Sequence, residues 1–356
     1  MKGRENMNGE FLVPTGNIIK EYLEANFISQ KELSERINIS EKHISNVLKG
    51  KNRLTEEFAL KLEKVLTGVP ASYWLNYEMK YRELLAREEE LARVEEWDLK
   101  TLAKRFKFNE VFKGLNLSIA EQAIEMLKLL KISDFASFET VYGNLQANFM
   151  EDGGDDEAIA IWLNLCENEI EIQNENINDI QYDEQQLKSN IEKFKILSNN
   201  NKTELSINSC RKLCNKLGIY LVICEAISNS KVRGALTTYK GHPAIYLSGR
   251  FKSHAHIWFA FMHELGHLIL HYNKKDVILS FEDGTDKSPK REKEANLFAR
   301  NMFIRQESYE KFIALGEYTA ASIRSFAKQE NTLPEIVVAR LQHDEKIRFD
   351  QFVYLK

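Results

Sequence analysis

From Asn17 to about Arg87, apolar residues recur three and four positions apart in short runs: IIKEYLEAN, SQKELSERI, EKHISNVLKG, TEEFALKLEKVL and the longer YWLNYEMKYRELLAREEE. That period predicts a series of short helices separated by turn residues. The charged run REEELARVEEWDLK reads as a connecting helix with a solvated face. Helical texture continues from about Thr101 to Leu197, broken by the acidic, Gly-rich MEDGGDDEA at 150–158, which reads as a loop. After Lys202 the pattern changes. A helix, SINSCRKLCNKL, leads through Gly218 into the β-branched run IYLVICEA. VRGALTTYKG and PAIYLSG then read as two strands meeting at a turn around Gly241–His242–Pro243, with helices expected from there to the C-terminus.

At 356 residues the chain is long for one domain. The expected division is 1–80, 81–200 and 201–356: two helical segments, then an α+β domain with a small sheet. A net charge of −4 confines any nucleic-acid surface to a local patch. Cys166, Cys210, Cys214 and Cys224 show no CxxC pairing, so buried thiols are expected rather than a disulfide framework. The N-terminal MKGRENMNGE lacks an apolar core, and nowhere do eighteen apolar residues run together. The expected location is the cytoplasm, with no membrane partner.

The chemistry concentrates in FAFMHELGHLILHY, 259–272, which contains H-E-x-x-H. On a helix His263 and His267 share one face and can grip one metal ion, with Glu264 beside it to take a proton from an attacking water. A third histidine six positions past His267 is absent, since position 273 is Asn273. His271 therefore reads as a rim or supporting residue. The better third ligand lies in REKEANLFARNMF, where Glu292, Ala295, Asn296 and Ala299 share a helix face. Glu292 would complete a His₂Glu site with one open position, the pattern of catalytic Zn2+. Asn296 could hold a ligand ring in its tautomer. Glu294, on the other face, is the competing carboxylate.

IYLSGRFKSHAHIWFAFMHELGHLILH followed by REKEANLFARNMF resembles the ImmA/IrrE family of zinc metallopeptidases, and LPEIVVARLQHDEKIRFDQF resembles that family's ending. The resemblance runs from about Leu205 to the C-terminus and implies a zincin-like fold. It makes His263, His267 and Glu292 the ligands and Glu264 the general base. A proline that relatives often carry after the Glu helix is missing from MFIRQE, and the serine of YLSG replaces a frequent asparagine. Neither departure touches a proposed ligand.

SQKELSERINISEKHISNVLKG, 29–50, fits helix-turn-helix spacing, with Leu33, Ile37, Ile39, Ile44 and Leu48 packed. Asn38 takes the left-handed turn position and Ser40 caps the second helix. That helix would offer Lys42, His43 and Asn46 to base edges, while Gln30, Lys49, Lys51 and Arg53 would hold phosphates. The block resembles XRE-type domains, most nearly the HigA-like antitoxins. Together the two resemblances imply a DNA-binding regulator, dimeric on a double-stranded operator, with a conditional peptidase. Its substrate would be a helix-turn-helix repressor, either itself or a partner, in a bacterial or phage stress, prophage or toxin–antitoxin circuit. The segments 81–100 and 151–156 are the connections where a self-cut would fall. The alternative is a HigA-like antitoxin or repressor, paired with a toxin, whose metal domain senses or docks without proteolysis.

Overall fold

The structure is a computed structural model and describes residues 4–5, 11–143, 155–173, 177–250, 253–281 and 289–355. The chain divides into two compact units, 1–99 and 100–356. Most of the acidic break expected at 150–158 lies outside the described residues.

In the first unit, a two-residue pairing of β1 (Arg4–Glu5) with β2 (Phe11–Leu12) precedes α1 (Thr15–Ala25), α2 (Gln30–Ile37), α3 (Glu41–Leu48), α4 (Glu56–Val65) and α5 (Ala71–Glu95). Side chains set the helix starts. Ser29, Ser40 and Thr55 each accept a hydrogen bond from a backbone N–H three residues on, supplying partners that a helix N-terminus lacks. Asn38 ends α2 at φ 53°, ψ 53°, the left-handed geometry that turns the chain into α3. Ile19, Leu33, Ile44, Leu48, Phe58 and Trp74 close the core. At Gly16, a Cβ would fall 2.3 Å from the backbone oxygen of Leu48, so α1 can reach the end of α3 only with glycine there. Helix α5 runs unbroken through residue 80 to Glu95.

Helix α6 (Leu99–Arg105) starts at the boundary, and the second unit continues with α7 (Phe108–Val111), α8 (Ile119–Leu129), α9 (Phe138–Tyr142) and α10 (Asp156–Gln173). Helices α11 (Glu184–Ser198) and α12 (Thr203–Lys216) lead to β3 (Tyr220–Cys224), β4 (Val232–Tyr239) and β5 (His242–Ser248). After α13 (His254–Leu270) come β6 (Ile278–Phe281), α14 (Pro289–Phe303), α15 (Gln306–Ala314), α16 (Ala320–Gln329) and α17 (Pro334–His343).

The sheet has order β3-β5-β4-β6, with β3 parallel to β5 and the other pairs antiparallel. Every residue of β5 is buried because both faces are covered, which explains its unbroken apolar run. Tyr246 meets Trp162 of α10, while Ile245 and Leu247 join the core around α13. Two expectations are corrected. Lys240 and Gly241, both at positive φ, form the hairpin turn, and His242 and Pro243 belong to β5. The sequence after the hairpin is not helical throughout, since β6 forms at the sheet edge. Its apolar run, ILSF, is too short to show a period.

Candidate metal centre and helix-turn-helix

Helix α13 is buried on nearly all sides. Its N-terminus is held by Glu335, whose Oε1 accepts from Ala255 N at 3.0 Å, a favourable place for a negative charge. Helix α14 crosses it at Gly266, where a Cβ would stand 3.3 Å from the Ala295 Cα and 3.0 Å from the Phe298 ring. Small residues on both helices bring their backbones close, and Glu292 then reaches the histidines. His263 Nε2 and His267 Nε2 lie 3.0 Å apart. Glu292 Oε2 is 3.1 Å from the first and Oε1 is 2.8 Å from the second.

Three lone-pair donors this close repel one another unless a cation or proton lies among them. The donor set of two imidazoles and one carboxylate fits Zn2+. Burial pushes the Glu292 carboxyl up, but hydrogen bonds to the two imidazoles outweigh it and hold the group well below the ordinary carboxylate range.

The outer nitrogens are also engaged. His263 Nδ1 is 3.0 Å from Asn296 Oδ1, which fixes the proton on Nδ1 and leaves Nε2 its lone pair. His267 Nδ1 is 3.0 Å from His271 Nδ1, and His271 Nε2 is 2.9 Å from Glu294 Oε2. If Nε2 of His267 is to bind metal, its proton sits on Nδ1 and is donated to His271, whose own proton then goes to Glu294. Asn296 and His271 thus stand behind the two histidines, and Glu294 meets His271 rather than the converging atoms.

Glu264 faces β4 and β6. It is 1% exposed, and burial pushes its carboxyl up to about 7 against His267, the Ser280 hydroxyl and Arg233, which pull it down. At Gly234 a Cβ would come within 2.3 Å of Glu264 Oε1, so the strand leaves the space that the carboxyl fills. A cleft of about 390 Å³ opens beside His263 and Glu292, walled by Phe259, Phe281, Phe303, Ile304 and Ile336, with Arg233, Arg300 and Arg340.

In the first unit, Lys42, Lys49, Lys51, Arg53 and Gln30 are exposed, and Asn46 is half-buried. His43 turns toward the following loop, with Nδ1 3.5 Å from Asn52 Nδ2 and its ring 6.2 Å from that of Phe58. Sequence reasoning missed the residues that fix this loop. Arg82 of α5 donates to the carbonyls of Gly50 and Asn52 at 3.3 and 3.4 Å, and its Nε meets buried Glu78 at 2.8 Å. Glu78 Oε1 also accepts from Leu54 N at 3.3 Å. The only trace in sequence is an i, i+4 acid–base pair.

Residues 214–342 match the M78 peptidase family, described as the IrrE N-terminal-like domain, and residues 19–74 match the helix-turn-helix family. No curated protein matches the chain. The chain therefore carries an XRE-type DNA-binding domain and a zincin-like domain of a metallopeptidase kind. Among the described residues, no helix is long and apolar enough to cross a membrane.

Proposed function

We propose that the chain is a DNA-binding transcriptional regulator whose second unit is a zinc-dependent endopeptidase acting conditionally on a repressor, either itself or a partner. The observation that carries this reading is the convergence of His263, His267 and Glu292 beside buried Glu264, in a chain that also holds a helix-turn-helix. On this reading residues 1–80 bind operator DNA, 81–200 connect, and 201–356 cut. The circuit would be a bacterial or phage stress, prophage or toxin–antitoxin one, and the location cytoplasmic.

His263, His267 and Glu292 would hold the ion, which when present polarises the peptide carbonyl and acidifies the attacking water. Glu264 takes the proton from that water on its carboxylate and delivers it to the leaving amine nitrogen. Asn296 and His271 keep the imidazoles in the ligating tautomer. The apolar cleft wall excludes bulk water from the reacting atoms.

A purely docking antitoxin would gain nothing from burying a carboxyl beside the ligands, and such burial is costly. A repressor cut at all times would never repress, so the resting state must hide either the site or the scissile segment. Residues 81–95 lie within helix α5, which a peptidase cannot thread without local unfolding. The test compares wild type with Glu264→Gln in cells under DNA damage and other stresses, following promoter output and fragments of this chain and of operator-bound proteins. Derepression with a fragment in wild type alone is expected. Identical derepression in both, with no fragment, would leave the antitoxin-like repressor standing.

A further inference from the structure

Glu292, Asn296 and Arg300 recur every four residues along α14, and all three line the cleft. Arg300 therefore lies about 12 Å along the helix from the ligand carboxylate. Two oxygens of Asp344 face two guanidiniums here, Arg300 Nη2 at 3.9 Å and Arg340 Nε at 3.8 Å, both beyond hydrogen-bond range. His343 Nδ1 stands between Asp344 and Arg300, 3.1 Å from Asp344 Oδ1 and 3.4 Å from Arg300 Nη2.

Arg340 is fixed by the Ile304 carbonyl, Gln306 Oε1 and the Tyr309 ring, and its buried Nε has no hydrogen-bond partner among the described residues. Arg233 stands in the same lining, its guanidinium 5.1 Å from the Phe259 ring centroid. Among the described lining residues the one carboxylate is Glu292, and the histidine pair claims it. Around the cleft three arginines thus face two carboxylates, Glu292 and Asp344, and this surplus of positive charge beside a partly apolar wall favours an anionic group with apolar neighbours.

We propose that the cleft selects protein segments carrying a Glu or Asp side chain on the Arg300 side of the scissile bond, with apolar residues between the two. An extended segment advances about 3.3 Å per residue, so the 12 Å of helix places that acid about three or four residues from the cut. The carboxylate docks on Arg300, and the intervening apolar side chains lie against the apolar part of the cleft. This rests on the peptidase reading for the word scissile. The selection itself is a binding property.

The experiment uses the full-length Glu264→Gln chain loaded with zinc and fluorescent peptides with an apolar centre. Each carries Glu at the third or fourth position to one side or the other, with a Gln isostere as control. Anisotropy should show one Glu register binding about tenfold tighter than its isostere, the worth of one charge-assisted hydrogen bond. Added salt should shrink the difference. Arg300→Gln in the same background should erase it, Arg300→Lys should keep part of it, and both should retain zinc and the parent melting temperature. Equal affinity for Glu and Gln peptides, no binding of either, or an undiminished preference in Arg300→Gln overturns the proposal. Mass spectrometry of the same peptides with the wild-type chain judges the other reading separately. Selective binding with no cut peptide would end the peptidase assignment and leave an acidic-peptide docking cleft.

Discussion

Gly234 and Glu264 occupy one space: a single carbon added to the strand residue would sit 2.3 Å from the carboxylate oxygen of the helix residue. The Glu264 carboxyl is thus placed by a missing side chain on β4 as much as by its own helix. Gly234→Ala should push the carboxyl away while leaving His263, His267 and Glu292 in register. Peptidase activity should fall about a hundredfold, since misplacement of about 1 Å is enough for that. Overpacking should cost about 1–3 kcal/mol of stability, and zinc content should stay near stoichiometric. Full activity in the alanine variant would mean that Glu264 does not act from this position.

Metal content should separate the carboxylates on α14. Glu292→Ala removes a converging donor and should purify with little zinc. Glu294→Ala and His271→Ala remove only the chain behind His267, so affinity should weaken about ten- to a hundredfold with stoichiometry kept at saturating metal. Titration of each variant against a chelator of known strength reads this directly. Zinc kept in Glu292→Ala and lost in Glu294→Ala would reverse the assignment.

The legible features were those that a local period or a short motif can carry. The α2–Asn38–α3 turn declares itself through apolar spacing, a residue tolerant of left-handed geometry and a serine cap, all within Ser29–Gly50. Strand β3 shows as a β-branched run and β4 and β5 as two strand-like segments around a turn, whereas the four residues of β6 are too few to show a period. The HExxH spacing is local to α13. Glu292 could be picked out because its neighbours Ala295 and Ala299 imply close helix packing, which Gly266 completes from the other side. Relationships across the fold left no such trace. Gly16 against Leu48, Gly234 against Glu264, and Glu78–Arg82 against the loop at 50–54 each depend on a partner that periodicity does not name.

In the first unit, base-reading and phosphate-holding residues should separate by the kind of loss. Asn46→Ala should relax sequence preference, by about 1–3 kcal/mol at the affected base pair. Lys51→Ala should weaken all duplexes alike and reduce the salt slope by about one. Arg82→Met, away from the exposed cluster, should resemble Lys51→Ala more than Asn46→Ala because it frees the loop that carries Lys51 and Arg53. Salt-dependent binding isotherms on the chain's own promoter region check all three. If none changes binding there, the DNA-binding assignment for these residues fails.

The C-terminal helices supply a pH prediction far from the metal centre. Glu330, 3% exposed just past α16, accepts from Arg305 N at 3.0 Å, Nε at 3.3 Å and Nη2 at 3.1 Å, tying the start of α15 to the end of α16. Burial pushes its carboxyl up, but the Arg305 hydrogen bonds outweigh that and hold it below the ordinary glutamate value. The unfolded chain therefore binds this proton more readily than the folded one. The contribution is complete above the unfolded value of about 4.3 and is lost as pH falls through the lower folded value. Arg305 is mostly solvated, so solvent screening keeps the pair's contribution at neutral pH small. Glu330→Gln should melt below wild type at neutral pH, and the two curves should converge as pH drops below about 4. Parallel curves down to the acid limit would assign the acid sensitivity to other carboxylates and leave Glu330 as a packing residue.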